Sequence, residues 1–365
     1  LTHPDEAIVV WSGPLTLRPT RQPAPELARD AVLVRLQAAE HTGQLDQIAI
    51  DDRELDASGR ASVIEYGSTT RTVTLRGPSD DDSARVVLQL ANRGAIVAPL
   101  LSFGLDSGVG QARGPGSLIA PEKPGEPNPP RLTWSDQADF ELARRDGRPI
   151  GAIASAAFTG AVAATANEGS LNSGYLVARF ASHPDQPGQT RLSQVIASER
   201  ATMQTAGEPA NTGQLAADSI TIDFDTSAAE VRPMLVTATG SVRGSRDGWT
   251  LTTAMLEAAL DADNSGRPVV QTIRAQRDVE LRNADTSLAA ASLRADVPAQ
   301  AVDFLGSPVS IARAGTTITG PAVRLDGLQR RLAVAGPGTL AFDRPESTSV
   351  TRVDASWTRG MTIDD

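Results

Sequence analysis

The stretch Val236 to Leu260, VTATGSVRGSRDGWTLTTAMLEAAL, lies without a gap over Ile273 to Val297, IRAQRDVELRNADTSLAAASLRADV, at an offset of 273 − 236 = 37 residues. Val236 meets Ile273, Ala238 meets Ala275 and Val242 meets Val279, after which Leu251, Ala254, Leu256, Ala258 and Leu260 meet Leu288, Ala291, Leu293, Ala295 and Val297. A repeat of this length constrains the fold more than any single residue. Each unit is one supersecondary element that cannot bury its apolar face alone and must stack on its neighbours. The same template fits VIASERATM (Val195 to Met203) with LAADSITIDF (Leu215 to Phe224) upstream, and VSIARAGTTITGPAVRLD (Val309 to Asp326) downstream. A run of consecutive units from Val195 to Asp326 follows.

A longer periodicity overlies this one. IVAPLLSFGLDSGVGQARGPGSL (Ile96 to Leu118) aligns ungapped with ITGPAVRLDGLQRRLAVAGPGTL (Ile318 to Leu340), at 318 − 96 = 222. Pro99 meets Pro321, Phe103 meets Leu325, and Gly-Pro-Gly at Gly114 meets Gly-Pro-Gly at Gly336. A further copy of the turn, GPLTL, stands at Gly13. After each copy comes a Pro-rich polar loop and then a strand: VLVRL at Val32, LTWSD at Leu132 with Trp134, and DASWT at Asp354 with Trp357. The loop PEKPGEPNPP, Pro121 to Pro130, therefore reads as a variable connection within a module rather than a domain linker. The expected organisation is a β module over 1–120, a loop with connecting strands over 121–194, a β-repeat module over 195–345, and the start of a further strand or module over 346–365.

Helix or strand is decided by period. In SITIDF the apolar residues Ile220, Ile222 and Phe224 alternate with polar ones, and Leu256, Ala258 and Leu260 do the same at the equivalent place. A period of two means a strand with one buried face. The alanines of the repeat carry helical propensity, but Thr252, Thr253 and the β pattern of 215–224 oppose it. Turns are expected at SRDG (Ser245 to Gly248) and RNAD. The fold class expected is all-β: a twisted, antiparallel double layer of tandem hairpins, closed into a sandwich or left open along one side as a groove. Small Ala residues at inward positions leave room between the layers.

Composition agrees and narrows the function. Aromatic residues are 4%, and 24 Pro with 31 Gly punctuate the chain, which suits many short strands and turns. A net charge of −10 argues against nucleic acid as the partner. The absence of cysteine excludes disulfides, thiolate catalysis and thiolate metal sites. Lys123 is the only lysine, so nearly all positive charge is arginine. No apolar run approaches the roughly 20 residues of a membrane span. The chain begins without a basic or apolar leader and ends abruptly, as expected of a processed or excised part of something longer.

A catalytic constellation is missing. His3, His41 and His183 have no metal-ligand spacing. LDADNSGRP, Leu260 to Pro268, starts like a calcium loop, but its offset is wrong and no Glu follows at the bidentate position, so it reads as a polar hairpin loop. Asp80, Asp81 and Asp82 read as a solvated turn, and the pair Asp51 and Asp52 has no third group in sequence to complete it. Arg243, Arg274, Arg294, Arg313 and Arg324 suit lipid phosphates but read first as ordinary surface charge. Trp134 and Trp357 read as strand anchors. The chain is expected not to be an enzyme and to need no cofactor.

The units LAADSITIDF, VTATGSVRG, WTLTTAMLEAAL and ITGPAVRLD with RRLAVAGPGTL resemble the OstA-like family of bacterial envelope proteins, in which a strand and short turn lead to a strand ending in a Gly-x-Val-Arg-like run. Here that match is Ala216 to Phe224 followed by Thr237 to Arg243. It is clear over Val195 to Leu340 and extends in weaker form over Val86 to Leu118. This resemblance implies an open, twisted β jelly roll of the β-taco kind, joined end to end with like modules or outer-membrane assembly components in the periplasm. Lipopolysaccharide acyl chains, or those of another lipid, would lie in its apolar groove. The resemblance supplies no catalytic residues, and this chain is about twice the length of the family's bridge protein and richer in Pro and Arg. The candidate groove positions are the inward alternating residues Ile220, Ile222, Phe224, Leu256, Leu293, Val323 and Leu325. The rival expectation is a structural envelope or surface fibre with a dry core and no ligand.

Overall fold

The opening repeat folds as two long strands, Arg232–Arg246 and Trp249–Ala262, in which Arg246 faces Trp249 across the two-residue turn Asp247-Gly248. Both turn residues are left-handed, at φ 52° and 77°. That is what a type I′ hairpin turn requires, and it matches the right-handed twist of the strands it joins. Asp146-Gly147 and Ala314-Gly315 close two other hairpins in the same way. In this computed structural model the described residues are 8–11, 15–20, 33–38, 40–41, 44–45, 48–52, 57–67, 69–77, 85–90, 94–121, 129–167, 169–183, 189–205, 213–227, 231–263, 267–345 and 350–364. Among them every regular element is a β-strand in antiparallel pairing, and there is no helix. SLAAASLRA is accordingly a strand, Thr286–Asp296. Alternation, not Ala propensity, decides it, because one face of that strand is sealed at Leu288 and Leu293 while the next residues point to solvent.

The chain divides into two compact units, Leu1–Val195 and Ile196–Asp365. In the second unit each long strand pairs with the next, from the end of Thr190–Thr205 through Gln214–Asp225, Arg232–Arg246, Trp249–Ala262, Pro268–Arg282, Thr286–Asp296 and Ala301–Arg313 to Thr316–Asp326. The ladder then splits. Thr316–Thr319 pairs with Gly338–Pro345, which pairs with Val350–Trp357, whereas Ala322–Asp326 pairs with Arg331–Ala335, which pairs with Gly360–Asp364. Val350–Trp357 and Gly360–Asp364 have no further strand partner among the described residues, so the ladder ends open and is not closed into a barrel.

In the first unit the order is reversed. One ladder runs through Gly94–Ala98, Gly116–Ile119 and Arg131–Trp134; another runs through Leu100–Gly104, Val109–Arg113 and Gln137–Arg145. Both end on the 19-residue strand Arg148–Ala166, which pairs in turn with Gly169–Ser182.

A matching device stands at the two splits, which explains the 222-residue periodicity. Gly114 and Gly336 are left-handed, at φ 79° and 75°, and each lies against a proline ring, Pro99 and Pro321. The indole Nε1 of Trp134 donates to the carbonyl of Gly114 at 3.0 Å, and Nε1 of Trp357 donates to that of Gly336 at 3.0 Å. A Cβ on Gly116 or Gly338 would collide with the ring of the same tryptophan. Trp134 and Trp357 are thus anchors that hold the two ladders together where they part. Trp134 also packs on Phe158 and Phe140, with ring centroids 5.4 Å and 6.5 Å away.

Packing follows rows that cross the strands. In the second unit one row runs from Ile220 through Ala238, Leu256, Ala275, Leu293, Phe304, Val323 and Val334 to Met361, each residue opposite the next. Two residues along the strands runs a second: Ile222, Val236, Ala258, Ile273, Ala295, Val302, Leu325, Leu332 and Ile363. The 37-residue offset is therefore a step of two strands within one row, so that Ala238 lies over Ala275 and Leu256 over Leu293. The first unit holds a comparable row, Ile64, Leu75, Leu101, Ala112, Ala138, Phe158 and Leu176, each buried.

Candidate functional site

Every second long strand carries a bulge at a fixed distance from the first row, and this bulge shapes the interior. Between two buried residues the strand reads Phe158-Thr-Gly-Ala-Val162, Ala197-Ser-Glu-Arg-Ala201, Ala238-Thr-Gly-Ser-Val242 and Ala275-Gln-Arg-Asp-Val279. The middle of each is left-handed: Gly160 at φ 91°, Glu199 and Arg200 at 62° and 65°, Gly240 at 92°, and Arg277 and Asp278 at 67° and 54°. Pairing registers shift at Thr159/Val162, Thr239/Val242 and Gln276/Val279 accordingly. An extra residue on one strand bends it and strengthens its twist. With the bulges in line across successive hairpins, the sheet of the second unit bends along that line. One contiguous apolar cluster takes side chains from both sides of the bend: Ala275, Leu293, Phe304, Val323 and Val334 from one side, Leu288, Ile311 and Ile318 from the other.

Local hydrogen bonds hold the bulges. Thr253, buried at 6% exposure, directs its hydroxyl at the carbonyls of Gln276 (2.8 Å) and Arg277 (3.1 Å) on the neighbouring strand. Asp218 Oδ2 accepts from the amide of Ser241 at 3.2 Å, and Ser135 Oγ accepts from that of Ala161 at 2.9 Å.

The seven candidate groove positions separate into two environments. Ile220, Leu256, Leu293 and Val323 share the first row, with Ile220, Leu293 and Val323 sealed at 0%, 7% and 2% exposure. Ile222 and Leu325 share the second row and are half-buried, and Phe224 lies beyond a register shift at the end of its strand, also half-buried. The sealed three offer no surface to a ligand in this conformation, whereas the second row does. Ala238 and Ala275 are fully buried between larger neighbours, Leu256 among them, and the alanines of the second row, Ala258 and Ala295, flank Ile273. Small and large side chains thus alternate along and between rows. Ala254 and Ala291, expected to face inward, occupy the bend instead: Ala254 lies within the register shift between Thr252 and Met255, and Ala291 is exposed.

The opposite face of the second unit holds a concavity of about 780 Å³ across six strands. Ala275, Phe304, Val323 and Val334, which touch it, are each within 2% of complete burial, so its surface comes from the residues on either side of them, which point away from the core. These include Arg274, Arg294, Asp303, Leu305 and Arg324, with Arg359 at one end. Arg324 makes a two-pronged contact with Asp303, at 3.1 Å to each carboxylate oxygen. Below it Arg331 donates to Asp364 at 2.6 Å, and this hydrogen bond raises the guanidinium pKa above its ordinary value. The sequence singled out Arg274, Arg294 and Arg324 as surface charge; that they line one hollow with Arg359 follows only from the register.

Other sequence candidates are dispersed. His183 is buried at 9% exposure and hydrogen-bonded within the first unit. Asp261 and Asp263 accept from backbone amides of their own loop, Ala262 at 2.7 Å and Arg267 at 2.9 Å, as in a polar hairpin connection. His3, Asp80, Asp81, Asp82 and Lys123 lie outside the described residues, as do the side chains of His41, Asp51 and Asp52. Among the described residues no three His, Asp or Glu side chains converge as metal ligands, and no helix is long and apolar enough to cross a membrane. Compared with protein-family models, with curated proteins and with solved structures, the chain matches none.

Proposed function

We propose that this protein is a non-enzymatic carrier of an apolar chain, an OstA-like module array of the bacterial periplasm that shields lipopolysaccharide acyl chains, or those of a similar lipid, on their way to the outer membrane. We read the bent, open ladder of the second unit as a folded-over double layer of the β-taco or jelly-roll kind. The observation that carries this reading is the second apolar row. From Ile222 to Ile363 it crosses nine strands, and apart from the sealed Val236 and the exposed Ile363 at 42%, its members are half-buried. At the usual strand spacing nine strands span about 38 Å. Covering such a strip with alkyl chain contributes about 0.8 kcal/mol per methylene and requires no polar chemistry.

A dry structural array is favoured by a different observation, the complete burial of Ala238 and Ala275 among larger neighbours. Solvent extraction of protein purified from a bacterial envelope without detergent, followed by mass spectrometry, separates the two readings. Acyl-chain lipid in stoichiometric amount is the expected result; protein that carries none, and takes up none from lipid micelles, overturns the carrier.

A further inference from the structure

On the outer face of the second unit the residues between the two apolar rows form a charged row, Glu257, Arg274, Arg294, Asp303 and Arg324, side by side on five strands. Asp303 is satisfied by Arg324. Arg274 and Arg294 then face each other directly in the register, and neither makes an ion pair with a described residue, Glu257 included. Like charges directly opposite destabilise a sheet. Glu257 and Asp303 stand opposite their other sides, yet an arginine pair that makes no ion pair with a described residue, at the rim of a hollow, is a place that an anion would stabilise.

We propose that the concavity binds a phosphate-type anion between Arg274 and Arg294. Four arginines line it against the single carboxylate of Asp303, and with Glu257 beside Arg274 in the row the local balance is 4 − 2 = +2. Its floor is small and apolar, Ala322, Ala333 and Ala335 beside the 55% exposed Leu305, which leaves room for the ligand and weakens solvent screening of the charges around it. Two planar guanidinium forks on neighbouring strands, whose Cα atoms pairing holds about 5 Å apart, match the oxygens of one tetrahedral anion. Free phosphate and a lipid phosphate headgroup present the same chemistry here. The site lies on the face away from the apolar rows and does not depend on the carrier reading.

The test titrates the full chain with inorganic phosphate and with phosphatidylglycerol vesicles, using phosphatidylcholine vesicles as the blank. Saturable binding to either anionic probe is expected, weakening as salt is added. Binding to phosphate assigns a free anion, and binding to the charged vesicles alone assigns a headgroup. Arg274→Gln combined with Arg294→Gln should weaken it about tenfold or more, the loss of charge-assisted hydrogen bonds, while Arg243→Gln, exposed and outside the concavity, leaves it unchanged. Arg294→Glu, placed between Arg274 and Asp303 in the register, should abolish anion binding. Wild-type affinity in the double variant, or no saturable binding to either probe, overturns the proposal.

Discussion

Arg277 and Asp278 are two consecutive left-handed residues inside a strand, without the glycine that Gly160 and Gly240 supply at the same place in other hairpins. An L-residue in this region costs roughly 1–2 kcal/mol, and glycine loses about half of that advantage through backbone entropy. Arg277→Gly, at the position where Gly160 and Gly240 stand, is therefore expected to stabilise the protein by about 0.5–1 kcal/mol, read as a higher denaturant midpoint at constant slope. The converse, Gly240→Ala, puts a Cβ against the carboxylate of Asp218 at φ 92° and should cost about 2 kcal/mol or more in the same assay. Sequence carried half of this information. ATGSV was visible as a repeat element, but AQRDV and ASERA have no glycine to mark a bulge, and the left-handed backbone there is imposed by pairing on both sides.

At the scale of the element, the hairpin is the repeating unit because only its first strand carries the bulge. On the partner strand the buried positions are odd-spaced across the bend, as in Ala290 and Leu293, and the residue at the corner is free to face solvent. Ala254, half-buried, and Ala291, exposed, stand there, where strict alternation along the strand breaks. Thr253→Val removes the hydroxyl that ties this strand to the carbonyls of Gln276 and Arg277. A loss of about 1–2 kcal/mol is expected, with faster hydrogen exchange at the amides of 276–279 than elsewhere in the strand. The Gly-Pro-Gly turns were legible as a period of 222 residues, and their tryptophans as anchors. Which carbonyl each indole meets was not, since it depends on a turn 20 or 21 residues away in sequence. Trp134→Phe and Trp357→Phe each delete one equivalent hydrogen bond and should cost about 1 kcal/mol apiece, measured by thermal denaturation.

At the scale of the whole molecule, the all-β class, the hairpin repeat and the inward faces of its strands were written in period two and in the offset of 37. Six of the seven candidate positions, all but Phe224, fall in the two adjacent apolar rows. Depth was not legible. Alternation identifies which face a residue takes, while the bend decides whether it is sealed, like Ile220 and Val323, or half-open, like Ile273 and Leu325. Nor was the arginine hollow, because arginines 20 to 85 residues apart in the chain become neighbours only through register. The carrier account rests on this difference in depth. A photo-crosslinking residue placed in cells at Ile273 and Leu325, and separately at Ile220 and Val323, tests it most directly. Lipid adducts at the half-buried pair, with little or none at the sealed pair, are the predicted result. Adducts to protein alone at all four positions would contradict it.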